Sequence, residues 1–163
     1  MAARPRRRQG SSTGARARLD PQGVGVTARP SHGVTGLVCD GDAVRALAVG
    51  AAVHARDLLE TVLTEGVGLV VPATAYATAW AASTPPGRML LDNFVRLSVV
   101  TVDPLDAATA RAVGVVLGQA AAAAAVDVGQ VVVSARARGW PVLAVDAAPF
   151  LAAAPDVIVE TLP

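Results

Sequence analysis

The sequence predicts an α/β fold: a single three-layer α/β/α domain with a mainly parallel central sheet of four to five strands. Apolar strand-like runs alternate with helical segments at the interval that builds βαβ units, which puts helices on both faces of an open parallel sheet. A chain of 163 residues with 53% hydrophobic content is long enough to bury one substantial core. Three aspartates, Asp40, Asp127 and Asp146, each sit at the end of an apolar strand or the start of a helix. Residues so placed meet at the carboxyl edge of a parallel sheet, where open α/β proteins bind ligands.

The elements follow in order. Leu37-Val38-Cys39 is a short strand closed by Asp40-Gly41-Asp42, and a helix starts near Asp42. Between Ala52 and Glu65, Ala55, Leu58, Leu59, Val62 and Leu63 recur at helical spacing, with His54, Asp57, Glu60 and Thr61 on the other face and Gly66 as the stop. Gly68-Leu69-Val70-Val71 is a second strand ended by Pro72, followed by a helix from Ala73 to about Ala82. The run Ser83-Thr84-Pro85-Pro86-Gly87 predicts a break, then a short helix around Met89 to Arg96. β-Branched residues from Leu97 to Val102 predict a third strand, and Asp103-Pro104-Leu105-Asp106 supplies the cap and N1 proline of a helix running to about Gln119. Asp127 precedes Val128, Val131, Val132 and Ala135 at helical spacing, with Gly139 as the stop. Pro141 to Val145 is a fourth strand ending at Asp146, and Val157-Ile158-Val159 a fifth.

Charge is unevenly distributed. Residues 1–29 hold seven arginines against one acid, a net +6, while residues 30–163 hold seven arginines against twelve acids, a net −5. An acidic body argues against a broad basic face that grips nucleic acid by charge, so any RNA contact is local or metal-mediated. Residues 1–33 read as a disordered, arginine-rich extension without the apolar region of a secretory signal, and residues 34–163 as the folded domain. No lysine is present, which excludes a Schiff base or a Walker A phosphate contact. The lone Cys39 reads as a small buried hydrophobe, and a single thiol makes a reducing cytoplasm the default location. The longest apolar stretch, Ala112 to Val126, is interrupted by Gly114, Gly118 and Gln119 and is too short to span a bilayer, so no membrane partner is expected.

Three carboxylates on one edge repel each other, and the usual reason for bringing them together is a hard cation such as Mg2+. Taken singly, Asp127 reads as a helix cap and Asp146 as a strand-end turn residue; their shared edge with Asp40 lifts the metal reading. Asp103 and Asp106 read as helix-start residues without chemistry, His54 as solvated, and Trp80 and Trp140 as packing residues.

With Asp40 after the first strand, Leu69-Val70-Val71-Pro72 ahead of a helix, Asp127 opening a helix and Gly139-Trp140-Pro141-Val142-Leu143-Ala144-Val145-Asp146, the chain resembles the PIN-domain family over about Val34 to Pro163. The style is that of the VapC-like toxins of bacterial toxin–antitoxin pairs. Asp40, Asp127 and Asp146 match three of the family's four acidic positions. The fourth, a glutamate six residues after the proline, falls on Thr78, and Ala144 stands where the family often has threonine or serine. The resemblance implies a magnesium-dependent endoribonuclease, with Mn2+ as a substitute ion, in which Asp40, Asp127 and Asp146 are both catalytic residues and metal ligands. Asp42 is a spare carboxylate or a helix cap, and Thr78 a hydrogen-bond donor to a metal-bound water. RNA is the implied substrate and a cognate antitoxin the implied partner, while alanine-rich helix faces also permit a homodimer. Two other readings stay open: a catalytically degenerate PIN-like binding protein, and a haloacid-dehalogenase-like phosphatase, suggested by Asp40-Gly41-Asp42-Ala43-Val44, with Asp40 as nucleophile and Asp42 as acid/base.

Overall fold

The computed structural model describes residues 36–50, 52–120 and 124–163. The extension expected over residues 1–33 lies outside the described residues. In chain order the elements are β1 (Gly36–Cys39), α1 (Gly41–Val49), α2 (Val53–Glu65), β2 (Gly68–Pro72), α3 (Ala73–Ala81), α4 (Pro85–Phe94), β3 (Val100–Asp103), α5 (Ala107–Gln119), α6 (Val126–Arg138), β4 (Val142–Ala144), α7 (Ala148–Ala153) and β5 (Val159–Thr161). The five strands form one sheet in the order β3-β2-β1-β4-β5, and every pairing is parallel.

Side-chain alternation along each strand feeds two separate cores, as a sheet covered on both faces requires. Cys39, Leu69, Val71, Val100 and Leu143 pack with Ala43, Val44 and Leu47 of α1, Ala55 and Val62 of α2, and Leu91 and Phe94 of α4. The residues between them, Val38, Val70, Val142 and Ala144, face Val116 of α5, Val131, Val132 and Ala135 of α6, and Phe150 of α7. Helix α3 contributes to both, through Ala79 and Ala75 respectively. The three-layer α/β/α architecture follows directly from this division.

Several boundaries differ from expectation, each for a local reason. Pro85 and Pro86 do not break the chain but open α4, where the missing N–H groups have no helical acceptor to satisfy, and Thr84 caps the turn. Leu97 to Val99 form the turn into β3 rather than strand, with the Val100 N–H donating to the Leu97 carbonyl at 3.0 Å. The cap expected at Asp103 falls on Asp106, whose carboxylate accepts from the Thr109 N–H at 2.8 Å, leaving Asp103 as the last residue of β3. The fifth strand starts at Val159 instead of Val157, and α7 is a six-residue helix with no counterpart in the periodicity. Gly66 and Gly139 stop α2 and α6 as expected, both with positive φ.

At the amino edge of the sheet, Gly36 of β1 lies against the Trp140 ring and 2.6 Å, measured from where a Cβ would stand, from the Gly68 carbonyl oxygen. Gly36→Ala is expected to cost about 1–3 kcal/mol in urea unfolding through overpacking. Adding Trp140→Leu is expected to recover only part of the loss, because the Gly68 carbonyl is backbone and cannot yield.

Candidate functional site

Strand order fixes where a site belongs. The chain runs outward from β1 through β2 to β3, then returns to place β4 on the other side of β1, so the connections leaving β1 and β4 diverge. The crevice at such a reversal is where open α/β sheets bind ligands. Asp40 follows β1 and Asp146 lies two residues beyond the end of β4, so they flank this crevice, while Asp127 sits in the first turn of α6. A cleft of about 530 Å³ opens there, lined by Asp40, Asp42, Thr78, Asp127 and Asp146 together with Gly41, Ala81, Ala82, Val128, Val131, Pro149 and Phe150. All five residues singled out from sequence thus share one cavity, and no lining residue is basic.

Each carboxylate also has a local task. Asp40 is the N-cap of α1: its Oδ1 accepts from the Ala43 N–H at 2.6 Å, and its own N–H donates to the Leu143 carbonyl at 3.0 Å, tying it to β4. Asp127 is not the cap of α6, a position held by Ala125; its Oδ1 accepts from the Val128 N–H at 2.9 Å within the first turn. Asp146 accepts from the Ala148 N–H at 2.9 Å, shaping the turn before α7. Asp42 is not a cap either. It is exposed in the first turn of α1 and pairs with Arg45 at 3.0 Å.

Electrostatics single out Asp40. Its carboxyl is pushed up to about 6, first by burial and then by the neighbouring charges of Asp42 and Asp127, against the opposing pull of the Ala43 and Val145 N–H groups. The adjacent Cys39 thiol is pushed up to about 12 by burial and by Asp40, so it is inert, in keeping with its place in the core.

Thr78 stands exposed on the cleft wall, but its hydroxyl donates to the Ala75 and Thr74 carbonyls of its own helix, at 2.9 and 3.1 Å. Its single proton is therefore committed, and toward the cleft it offers only acceptor capacity, contrary to the donor role expected of it. It packs over the backbone of Gly41, where a Cβ would lie 2.5 Å from Thr78 Oγ1. His54, Trp80 and Trp140 lie outside the cleft; Trp80 packs beside Tyr76 and beneath the Arg88 guanidinium.

Among the described residues, no three His, Cys, Asp or Glu side chains approach closely enough to share one ion. The donors are all carboxylate oxygens that face one cleft without closing into a cage. Such a set fits a hydrated magnesium ion, which keeps most of its waters and needs only one or two carboxylates, and does not fit a dehydrated ion enclosed by protein.

One group of residues escapes the sequence reading. Asp103 accepts from Ser134 Oγ at 2.8 Å and from Arg138 Nη1 and Nη2 at 2.8 and 2.7 Å, while Gln130 bridges Thr74 and the Asp103 carbonyl. Gln130, Ser134 and Arg138 recur every four residues along α6, a polar stripe visible in the sequence, but their partner Asp103 is revealed only by the sheet order.

Fold and site together define a three-layer α/β protein with a cleft at the switch point of a parallel sheet whose charged lining residues are all aspartates. Comparison with protein-family models and with curated proteins gave no match. Among the described residues, no helix is long and apolar enough to cross a membrane.

Proposed function

We propose that the cleft is the active site of a metal-dependent endoribonuclease of the PIN-domain type, related in style to VapC-like toxins. The observation that carries this reading is the gathering of Asp40, Asp42, Asp127 and Asp146 around one cavity without a basic residue on its wall. Packing does not require such a gathering, and a divalent cation relieves it. Asp40 and Asp127 are the first choice of ligands, since Asp40 responds to the charge of Asp127, with Asp146, on the same cleft, acting on the ion through its bound waters. Mg2+ or Mn2+ bound there supplies an acidified water and offsets charge developing on a phosphate. The protein's own part is to fix the orientation of the carboxylates, each of which accepts from one backbone N–H: Ala43 for Asp40, Val128 for Asp127 and Ala148 for Asp146. The apolar side of the cleft, with Val128, Val131 and Phe150, limits how much water surrounds the bound phosphate. RNA is the substrate and an antitoxin the partner that this reading implies.

A second reading, a catalytically degenerate PIN-like binding protein, draws on the neutral Thr78 and the absence, among the described residues, of three carboxylates close enough to share an ion. The phosphatase alternative through Asp40 and Asp42 lacks a comparable observation, because it calls for a cation on a cleft wall that has no basic residue.

The experiment is incubation of mixed structured and single-stranded RNA with purified protein in Mg2+, Mn2+ or chelator. Metal-dependent cleavage that disappears in Asp127→Asn is the expected result. Thr78→Glu has room, since Thr78 is exposed, and is expected to raise cleavage by about 10- to 100-fold by restoring a ligand. A folded wild type that cleaves nothing, beside an active Thr78→Glu, would establish the degenerate reading instead.

A further inference from the structure

We propose that Gln130 is a positioning residue that sets the gap between the two helices walling the cleft, a role that rests on reading the cleft as a cation site. On α6, Gln130 lies three residues beyond Asp127; on α3, Thr74 lies four residues before Thr78. Each is therefore about one helical turn from a cleft residue, on the same face. The Gln130 amide oxygen accepts from both the N–H and the Oγ1 of Thr74, at 3.0 and 2.8 Å, and its amide nitrogen donates to the Asp103 carbonyl at 3.1 Å. One side chain thus clasps α6 to α3 and to the end of β3, a turn away from the cleft. Thr78 is joined to the same clasp through its hydroxyl, which donates to the Thr74 carbonyl.

The surroundings make the choice of glutamine informative. Gln130 is 0% exposed and Ser134 3%, and among the described residues these are the only buried polar or charged side chains. Burying an amide is costly unless every group is bonded, and no buried side-chain nitrogen or oxygen among the described residues lacks a partner. An apolar residue of similar volume fills this space more simply. What glutamine adds is fixed hydrogen-bond length and direction, where apolar contact lets helices slide. The stripe continues through Ser134 and Arg138 to the Asp103 carboxylate, holding the rest of α6 to β3.

The test is calorimetric titration of the full chain with Mn2+, comparing wild type, Gln130→Met, Thr74→Val and Val62→Ala. Val62 belongs to the other core, on α2, and its truncation controls for general destabilisation. Gln130→Met is expected to weaken Mn2+ binding by about 10- to 100-fold and Thr74→Val by about 3- to 10-fold, with Val62→Ala within twofold of wild type. Should Gln130→Met fail to fold, Thr74→Val carries the comparison alone. Folded variants that bind Mn2+ like wild type, or a Val62→Ala loss as large as theirs, would overturn the positioning role while leaving the cation site standing. A wild type that binds no Mn2+ would overturn both.

Discussion

Asp40→Asn is expected to make the protein more stable at pH 8 while lowering metal-dependent RNA cleavage by at least about 100-fold. Asparagine caps a helix as well as aspartate does, so the Ala43 N–H keeps an acceptor. What disappears is a carboxyl group whose folded-state value, about 6, lies above its ordinary 3.8 because burial and the charges of Asp42 and Asp127 disfavour ionisation. Between those two values the folded chain holds more protons than the unfolded chain, so stability falls as pH rises through the window and levels off above it. A two-unit shift corresponds to about 2.7 kcal/mol in full, which partial exposure of the carboxyl reduces to about 1 kcal/mol. Urea unfolding at intervals between pH 4 and pH 8 reads the effect directly. Wild type and variant should coincide at the acidic end and diverge by about 1 kcal/mol at the alkaline end, the variant being the more stable. Such a trade of stability for activity marks a functional carboxylate. A variant equally or less stable at pH 8, or one that still cleaves, would remove Asp40 from the site.

Asp103→Ala carries the largest expected loss of stability. Asp103 and Arg138 side chains are only 18% and 29% exposed, and the same carboxylate also holds Ser134 Oγ. Removing it leaves a guanidinium and a hydroxyl against β3 without their acceptor, at a cost of about 2–4 kcal/mol, somewhat below the range for fully buried pairs. Thermal unfolding should fall by roughly 10 °C. Asp156→Ala, which breaks the exposed Arg136–Asp156 pair, is the control and should change little. Equal effects from the two substitutions would mean that Asp103 does not pin α6 to the sheet.

The centre of the sheet was readable from sequence because β1, β2 and β4 are short apolar runs bounded by turn residues or proline, and because alternating helices leave few ways to arrange parallel strands, whereas β5 shares only Val159 with the apolar run before it. Less readable were features decided by packing. Leu97 to Val99 have strand-like composition yet form a turn, and α7 is too short, at six residues, to show a period. For the site, strand ends and a helix start were enough to bring Asp40, Asp127 and Asp146 to one edge, and Asp42 and Thr78 line the same cleft. Their finer states depend on three-dimensional neighbours. The Thr78 hydroxyl turns back onto its own helix, Asp42 pairs with Arg45, and Asp40 rather than Asp42 caps α1. Asp103, which sequence alone makes a helix cap, becomes the anchor of α6 only once β3 is known to lie at the sheet edge beside β2.

Titration of the wild-type protein and Asp127→Asn with Mn2+ at pH 8 in a calorimeter shows whether these carboxylates form a cation site. Saturable binding to the wild type is expected, weakened at least about 10-fold by the loss of a single charged ligand. Absence of binding to the folded wild type, or binding that Asp127→Asn leaves unchanged, would contradict such a site.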